Sequence, residues 1–168
     1  MSIQWQLPQD LLAESIEVMA PHGRRGNEGL SLWLGTELGT LTCVTHMVEL
    51  RGPGFMAAPQ QLRISLSGMS ALTDLADQLN VYLVGQIHSH PGYFVDLSHV
   101  DKAYGIRIPG YLSLVCPHYA QFATTRLDHC GAHVFERGEY RRMPACEAAR
   151  RIVTSPMNVS KLELEVPK

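Results

Sequence analysis

The stretch Val81-Tyr82-Leu83-Val84-Gly85-Gln86-Ile87-His88-Ser89-His90-Pro91-Gly92-Tyr93-Phe94-Val95-Asp96-Leu97-Ser98-His99-Val100-Asp101 decides how this chain is read. Val81 to Ile87 is apolar enough for a strand and runs directly into His88-Ser89-His90-Pro91. In a strand, residues i and i+2 point to one face. His88 and His90 can therefore present two imidazoles to a common point. Pro91 holds His90 extended and closes the strand. The following loop can carry the chain back to Ser98, which suits the N-cap of a short helix over Ser98 to Tyr104. Asp101 then falls in the first helical turn, where its carboxylate can reach the same point.

Two imidazoles and a carboxylate suit zinc and leave a fourth position open, the mark of a catalytic rather than a structural site. Zinc at such a site lowers the pKa of bound water from about 15.7 to about 7. The chemistry also needs a general base and a donor to steady an oxyanion. The Ser98 hydroxyl is placed to be that donor, and the base must come from elsewhere in the chain. Each half of the stretch also has an ordinary explanation. An H-x-H pair can be exposed or satisfied in a core, and Ser-x-x-Asp is a common capping box. Neither explanation requires the other half at this spacing.

The whole chain is consistent with such a site. It has 168 residues, 14 basic against 16 acidic, and 45 % hydrophobic residues, which fits one domain with a real core. The near-neutral balance argues against nucleic acid as main partner, because phosphate binding needs concentrated positive charge. No apolar stretch approaches a membrane span, and Met1 to Gln6 does not resemble a signal peptide, so a reducing cytoplasm is expected. The four cysteines, Cys43, Cys116, Cys130 and Cys146, form no C-x-x-C pair. A metal site must then be built from His and carboxylate. Cys116, His118, His129, Cys130 and His133 match no standard zinc spacing, and strand-end packing accounts for them better.

Hydrophobic spacing predicts helices over Pro8 to Ala20, Met69 to Leu79 and Cys146 to Ile152. It predicts strands at Leu30 to Leu34, Thr40 to Leu50, Gln61 to Ser67, Tyr111 to Cys116, Phe122 to Leu127 and Ala132 to Phe135. Gly35 to Gly39 reads as a turn and Arg51 to Pro59 as an irregular loop. Leu162, Leu164 and Val166 alternate, which allows a late edge strand. The order implies an α+β or three-layered fold, with a mixed sheet flanked by helices.

H-x-H-P followed by S-x-x-D, with seven residues between the second His and the Ser, resembles the JAMM motif of the MPN (JAB) domain zinc metalloproteases. His88, His90, Ser98 and Asp101 match it position for position. Members also carry an upstream E-x-x-G-L-x-L-G, and this chain reads Glu28-Gly29-Leu30-Ser31-Leu32-Trp33-Leu34-Gly35. Ser31 replaces the inner Gly, and Leu97 stands where Pro often precedes the motif Ser. Neither departure removes a ligand or a proton-transfer group.

The resemblance covers residues 5–143 as one MPN/JAB domain with a mostly antiparallel curved sheet (α/β/α-like), and leaves 144–168 as a C-terminal helix and tail extension. It implies that His88, His90 and Asp101 bind one Zn2+. Glu28 would be the general base and acid acting through the zinc-bound water, and Ser98 would help stabilise the tetrahedral intermediate. The implied reaction is hydrolysis of the amide bond after the C-terminus of a ubiquitin-like protein, as a precursor or a conjugate. The short segment after the motif, Lys102 to Gly110, resembles the prokaryotic deubiquitinase-like type. Activating and conjugating enzymes would then be pathway neighbours.

A non-catalytic MPN scaffold, and a zinc hydrolase of small amides or amino-acid adducts, are the alternatives. Taken alone, Glu28 in a polar loop beside Arg24 and Arg25 would read as a solvated charge. Tyr93 and Phe94 are candidates for a wall against an extended substrate tail, held by strand addition. Asp96 and His99 could orient a ligand ring or be plain loop polarity.

Overall fold

Leu30, Leu32 and Leu34 alternate with Ser31 and Trp33, and in the computed structural model, which describes residues 2–168, both sets are buried. The strand that carries them, β2 (Leu30–Leu38), lies in the middle of a sheet covered on both faces. The leucines pack with Val48, Leu50, Leu72, Ala76 and Val166 on one face. Trp33 packs with Trp5, Leu11, Ile16, Met19, Ile87 and Leu114 on the other. Ser31 is buried because it faces Ser15, whose hydroxyl donates to it at 3.1 Å, while Trp33 Nε1–H donates to Ser15 Oγ at 3.2 Å. A strand expected to have one apolar face thus serves two cores.

The elements follow in the order β1 (Gln4–Pro8), α1 (Leu11–Gly23), β2, β3 (Leu41–Arg51), β4 (Phe55–Ala58), β5 (Gln61–Ile64), α2 (Leu66–Leu79) and β6 (Tyr82–Ser89). Then come α3 (His99–Tyr104), β7 (Leu112–Cys116), β8 (Gly131–Glu136), β9 (Glu139–Arg142), α4 (Ala145–Arg151), β10 (Ile152–Ser155) and β11 (Ser160–Glu165). The main sheet runs β10-β1-β3-β2-β6-β7-β8-β9, with β11 on the second half of β3, and β4–β5 form a separate ladder. Pairs β2–β3, β2–β6, β7–β8 and β8–β9 are antiparallel; β1–β10, β1–β3, β3–β11 and β6–β7 are parallel. The fold is α+β with a mixed sheet between helices.

α1 exists because Leu11, Ile16 and Met19 share a buried face. Asp10, just before it, does not cap it; its carboxylate accepts the Val159 N–H at 2.8 Å instead. α2 is capped by Ser65, whose hydroxyl accepts the Gly68 N–H, and ends at Asn80 in the left-handed region (φ 54°). Among the described residues no helix is long and apolar enough to cross a membrane.

Several expectations need correction. Gly35 to Leu38 continue β2 rather than turning. Gly35 marks a register shift in the ladder, where a Cβ would come 2.1 Å from the Cys43 carbonyl oxygen. Phe55–Ala58, expected to be irregular, is a strand paired with β5. Phe122 to Leu127 is not a strand. Thr125 bonds back to the Phe122 carbonyl through both N–H and hydroxyl, Arg126 clasps Asp128, and a 3-10 turn follows over Leu127–His129. Local side-chain bonds win there because they satisfy the backbone without a neighbouring strand. β1, β9 and β10 have no counterpart among the expected strands. The residues after Pro144, set apart above as an extension, carry α4, β10 and β11, and both strands join the main sheet.

Leu32 is fully buried between β2 and α2. Leu32→Ala should therefore cost about 2–5 kcal/mol through lost burial and the cavity left behind. Urea unfolding measures this, and a loss below 1 kcal/mol would mean that the core collapses around the gap.

Candidate metal centre

β6 delivers His88, and His90 just past its end, to the same side of the sheet, as the alternation requires. This end of β6 is pinned by the segment that leads out of β7. His90 N–H donates to the Cys116 carbonyl at 2.9 Å, and the Tyr119 N–H donates to the His90 carbonyl at 2.7 Å. Tyr119 belongs to a turn, His118–Ala120, in which three consecutive non-glycine residues sit near φ 55°. Backbone strain of this kind persists only where the surroundings over-determine it. Here the turn is clamped to the metal-side strand end, and the Tyr119 hydroxyl donates to the Pro59 carbonyl at 3.0 Å.

Ser98 ends the returning loop and caps α3. Its hydroxyl accepts the Asp101 N–H at 3.1 Å, and Asp101 Oδ2 accepts the Ser98 N–H at 2.7 Å. The capping box is therefore real, and it is also what aims Asp101 at the histidines. His88 Nε2 and His90 Nε2 lie 3.1 Å apart, and Asp101 Oδ2 is 3.5 Å from the first and 3.2 Å from the second. A tetrahedral zinc with bonds of about 2.0–2.1 Å separates its ligand atoms by roughly 3.3–3.4 Å. The triangle has that size.

Its protonation also calls for a cation. His90 Nδ1 sits 3.0 Å from the Phe94 carbonyl oxygen, which can only accept, so this nitrogen carries hydrogen. In the neutral ring Nε2 is then a lone pair facing a carboxylate oxygen. Only a shared proton or a metal ion relieves that opposition. The three residues fit a metal ion, and a divalent ion with nitrogen and oxygen preference suits them.

The carboxylate chemistry follows from the same geometry. Burial alone would raise the Asp101 carboxyl; hydrogen bonds from His88 and His90 outweigh it and hold the group well below the usual carboxylate range. Burial disfavours charge on His90, yet Asp101 and Glu28 raise its pKa on balance.

Glu28 is not a solvated loop charge. It is 4 % exposed, with Oε1 3.9 Å from His90 Nε2, just outside the ligand triangle. Ser89, between the two histidines, holds it there. Gly29 N–H donates to Ser89 Oγ at 2.9 Å, and Ser89 N–H donates to the Gly29 carbonyl at 3.1 Å. The Glu28 N–H donates to the Ala58 carbonyl. Burial, opposed by the neighbouring His90, pushes the Glu28 carboxyl up to about 7. A base poised near neutrality is what general acid–base work favours.

That shift has a testable sign in the metal-stripped protein. The folded chain keeps the Glu28 proton between pH 4.5 and about 7, while the unfolded chain releases it. Stability must then fall as pH rises through this window. Asp101 acts oppositely, but only below its ordinary value of 3.8. Relative to Glu28→Gln, wild type should lose on the order of 1–3 kcal/mol between pH 5 and 7.5 in chelator. Urea unfolding at both pH values reads it, and parallel behaviour of the two proteins would refute the shift.

Around the triangle lie two grooves. One of about 270 Å³ is lined by Leu30, Leu62, Ile64, Tyr104, Ile106 and Tyr140 and reaches His88 and Asp101. The other meets Glu28, Gln60, His90, Phe94, Ser98 and His99. Phe94 is 61 % exposed and its ring is parallel to His90 at 5.9 Å between centroids. Tyr93 is 86 % exposed and lies edge-on to His118, away from the triangle. Asp96 makes no hydrogen bond to either ligand ring; it bonds to His133. Among the described residues, His88, His90 and Asp101 form the one group of three or more metal-ligating side chains gathered this closely. Ser89, Tyr119 and His133 were not readable as contributors, because each acts through a backbone or loop contact rather than through a motif.

No family model matches the chain. Its fold is similar to the solution structure of a protein from Desulfitobacterium hafniense, with TM-score 0.65 and 16 % identity, over 92 % of this chain and 94 % of that one. It is also similar to a protein from Salinibacter ruber, with TM-score 0.55 and 17 % identity, over 89 % and 91 %. At these identities the likeness is one of fold alone. In sequence the chain is 30 % identical over 125 residues to the "Probable metalloprotease y4jG" of Sinorhizobium fredii, covering 68 % of this chain and 72 % of that protein. With that identity and coverage, the chain belongs to the family of the probable metalloprotease y4jG.

Proposed function

We propose that this chain is a JAMM-type (MPN/JAB) zinc peptidase that hydrolyses the amide or isopeptide bond after the C-terminus of a ubiquitin-like protein. The observation that carries the reading is the triangle of His88, His90 and Asp101 with the buried Glu28 carboxyl just outside it. The relative named a metalloprotease supports peptide hydrolysis, and the match to H-x-H-P…S-x-x-D supports the JAMM assignment.

When bound, zinc supplies Lewis acidity toward water and a carbonyl oxygen. The chain's own groups do the rest. Glu28, buried just outside the triangle, accepts a proton from the attacking water at its carboxylate oxygen and returns it to the leaving nitrogen. The Ser98 hydroxyl oxygen is occupied as an acceptor by Asp101 N–H, so its hydrogen is free to donate toward the substrate carbonyl. The grooves on either side of the triangle leave room for an extended chain to pass the reacting atoms. The two-stranded β4–β5 ladder contributes Leu62 and Ile64 to one wall, and its edge offers backbone groups for strand addition. Activating and conjugating enzymes for a ubiquitin-like protein would be the pathway neighbours, in the cytoplasm.

The test incubates zinc-loaded protein with ubiquitin-like proteins carrying C-terminal extensions, with and without chelator, and reads intact mass. Cleavage after the ubiquitin-like terminus, abolished by chelator, is expected. Chelator-insensitive cleavage overturns the metal mechanism. Hydrolysis of small amides with every fusion intact overturns the protein substrate.

A further inference from the structure

The loop between His90 and Ser98 has two exacting tasks and little packing to secure it. Its Phe94 carbonyl sets the tautomer of His90, and its end places Ser98 and so Asp101. Yet Tyr93 and Phe94 are exposed, and no strand or helix runs through it. What holds it lies two strands away from β6. His133 of β8 is 1 % exposed, and its Nε2–H donates to Asp96 Oδ1 at 2.7 Å. The same oxygen accepts the Leu97 N–H at 2.9 Å. His133 Nδ1 faces the Ser113 carbonyl oxygen on β7 at 3.3 Å. One residue before Asp96 and two before His133, the Val95 carbonyl oxygen seats on Gly131, where a Cβ would approach to 1.7 Å.

His133 is therefore neither a ligand nor a base. The neutral ring has one N–H, which Nε2 gives to the Asp96 carboxylate at the shorter distance, while Nδ1 only packs beside the Ser113 carbonyl and the ring is shut away from solvent. Burying the His133 imidazole against a part-exposed carboxylate is a costly way to fill space, since an apolar side chain of similar volume does so at no desolvation penalty. What the polar pair supplies and an apolar one cannot is a fixed distance and direction between loop and sheet.

We propose that Asp96 and His133 form a positioning latch that fixes the 91–98 loop on β8 and thereby presets the geometry of the metal centre; this rests on the metal-site reading above. Neither residue touches the metal or the substrate. The chain of contacts runs from His133 to Asp96, along the loop to the Phe94 carbonyl, and from there to His90 Nδ1. Partners that orient ligands from outside are typically worth about 10–100-fold in metal affinity.

The test uses the full chain loaded with Co2+, whose visible absorption reports ligand geometry, and competes the ion with a chelator. Asp96→Ala should weaken Co2+ by about 10-fold or more and change the visible band, with the far-UV circular dichroism retained. Asp96→Asn keeps an oxygen where both hydrogen bonds converge and should restore affinity to within about 3-fold of wild type and the band to its original shape. An Asp96→Ala protein with wild-type affinity and spectrum overturns the latch, and so does an Asp96→Asn protein as weak as Asp96→Ala. Chymotrypsin digestion of the metal-free proteins reads the loop directly. Cutting after Tyr93 or Phe94 should be several-fold faster in Asp96→Ala than in wild type, and equal rates overturn the latch. If wild type takes up no Co2+, the metal-site reading fails, and the digestion still decides whether Asp96 holds the loop.

Discussion

Glu28→Ala should keep its metal and lose about 10²–10⁴-fold in turnover, the usual worth of a positioned general base. The metal is kept because Glu28 is no member of the triangle; its nearest oxygen stands 3.9 Å from His90 Nε2. The rate is lost because the described geometry puts no other carboxylate in the same place. Asp101 is committed to the two histidines and to the Ser98 N–H. Glu28→Gln sharpens the test, since it preserves shape and hydrogen bonding but cannot take a proton. Both variants should bind zinc stoichiometrically by elemental analysis while failing to cut the fusion. A metal-loaded Glu28→Ala protein that cuts at the wild-type rate would remove Glu28 from the mechanism.

His88→Ala should lose the metal itself. His88 supplies one corner of the triangle from a position 1 % exposed, so water cannot readily replace it as an equivalent ligand. Outer partners of metal ligands are worth about 10–100-fold in affinity, so deletion of a ligand should exceed 100-fold. Purified His88→Ala should then carry far less than one equivalent of zinc after dialysis, and added zinc should not protect it from unfolding. His46→Ala, on β3 and outside the triangle, is the control and should retain full zinc. Unchanged zinc content in His88→Ala would refute the ligand set.

The metal triangle could be seen in the sequence because it rests on local rules. Alternation along a strand, an extended residue before proline and a capping box each work within a few residues, and together they aimed three side chains at one point. Glu28 was legible only through its resemblance to a motif. Its place depends on Ala58 of β4, which accepts its N–H, and on Ser89 of β6, which holds the adjacent Gly29, and no local pattern announces such contacts. The same limit explains the errors in the fold. Phe122 to Leu127 has strand-like composition, but the Thr125 and His129 side chains satisfy the backbone nearby. β1 and β10 are short and depend on distant partners, β1 lying between β3 and β10 with Trp5 opposite both Thr42 and Ile152. Ser31 looked like the polar side of a half-exposed strand until Ser15 supplied its partner.

The pairing of β1 with β10 and of β3 with β11 bears on how the chain folds. Lys161 lies beside Met47 and Gln6 beside Val153, so these parallel contacts close only after residues 152–165 have been made. The β2–β3 hairpin and the β6–β8 region can form from residues already synthesised. Until residues 152–165 arrive, β1 and the second half of β3 present open backbone edges to any neighbouring chain. At the usual rates of synthesis, the roughly 110 residues between β3 and β11 leave that edge waiting on the order of 5–20 s. Long-range parallel pairing is slow to form as well. Slowing initiation or lowering the expression temperature should therefore raise the soluble yield more than any single stabilising substitution in the central strands.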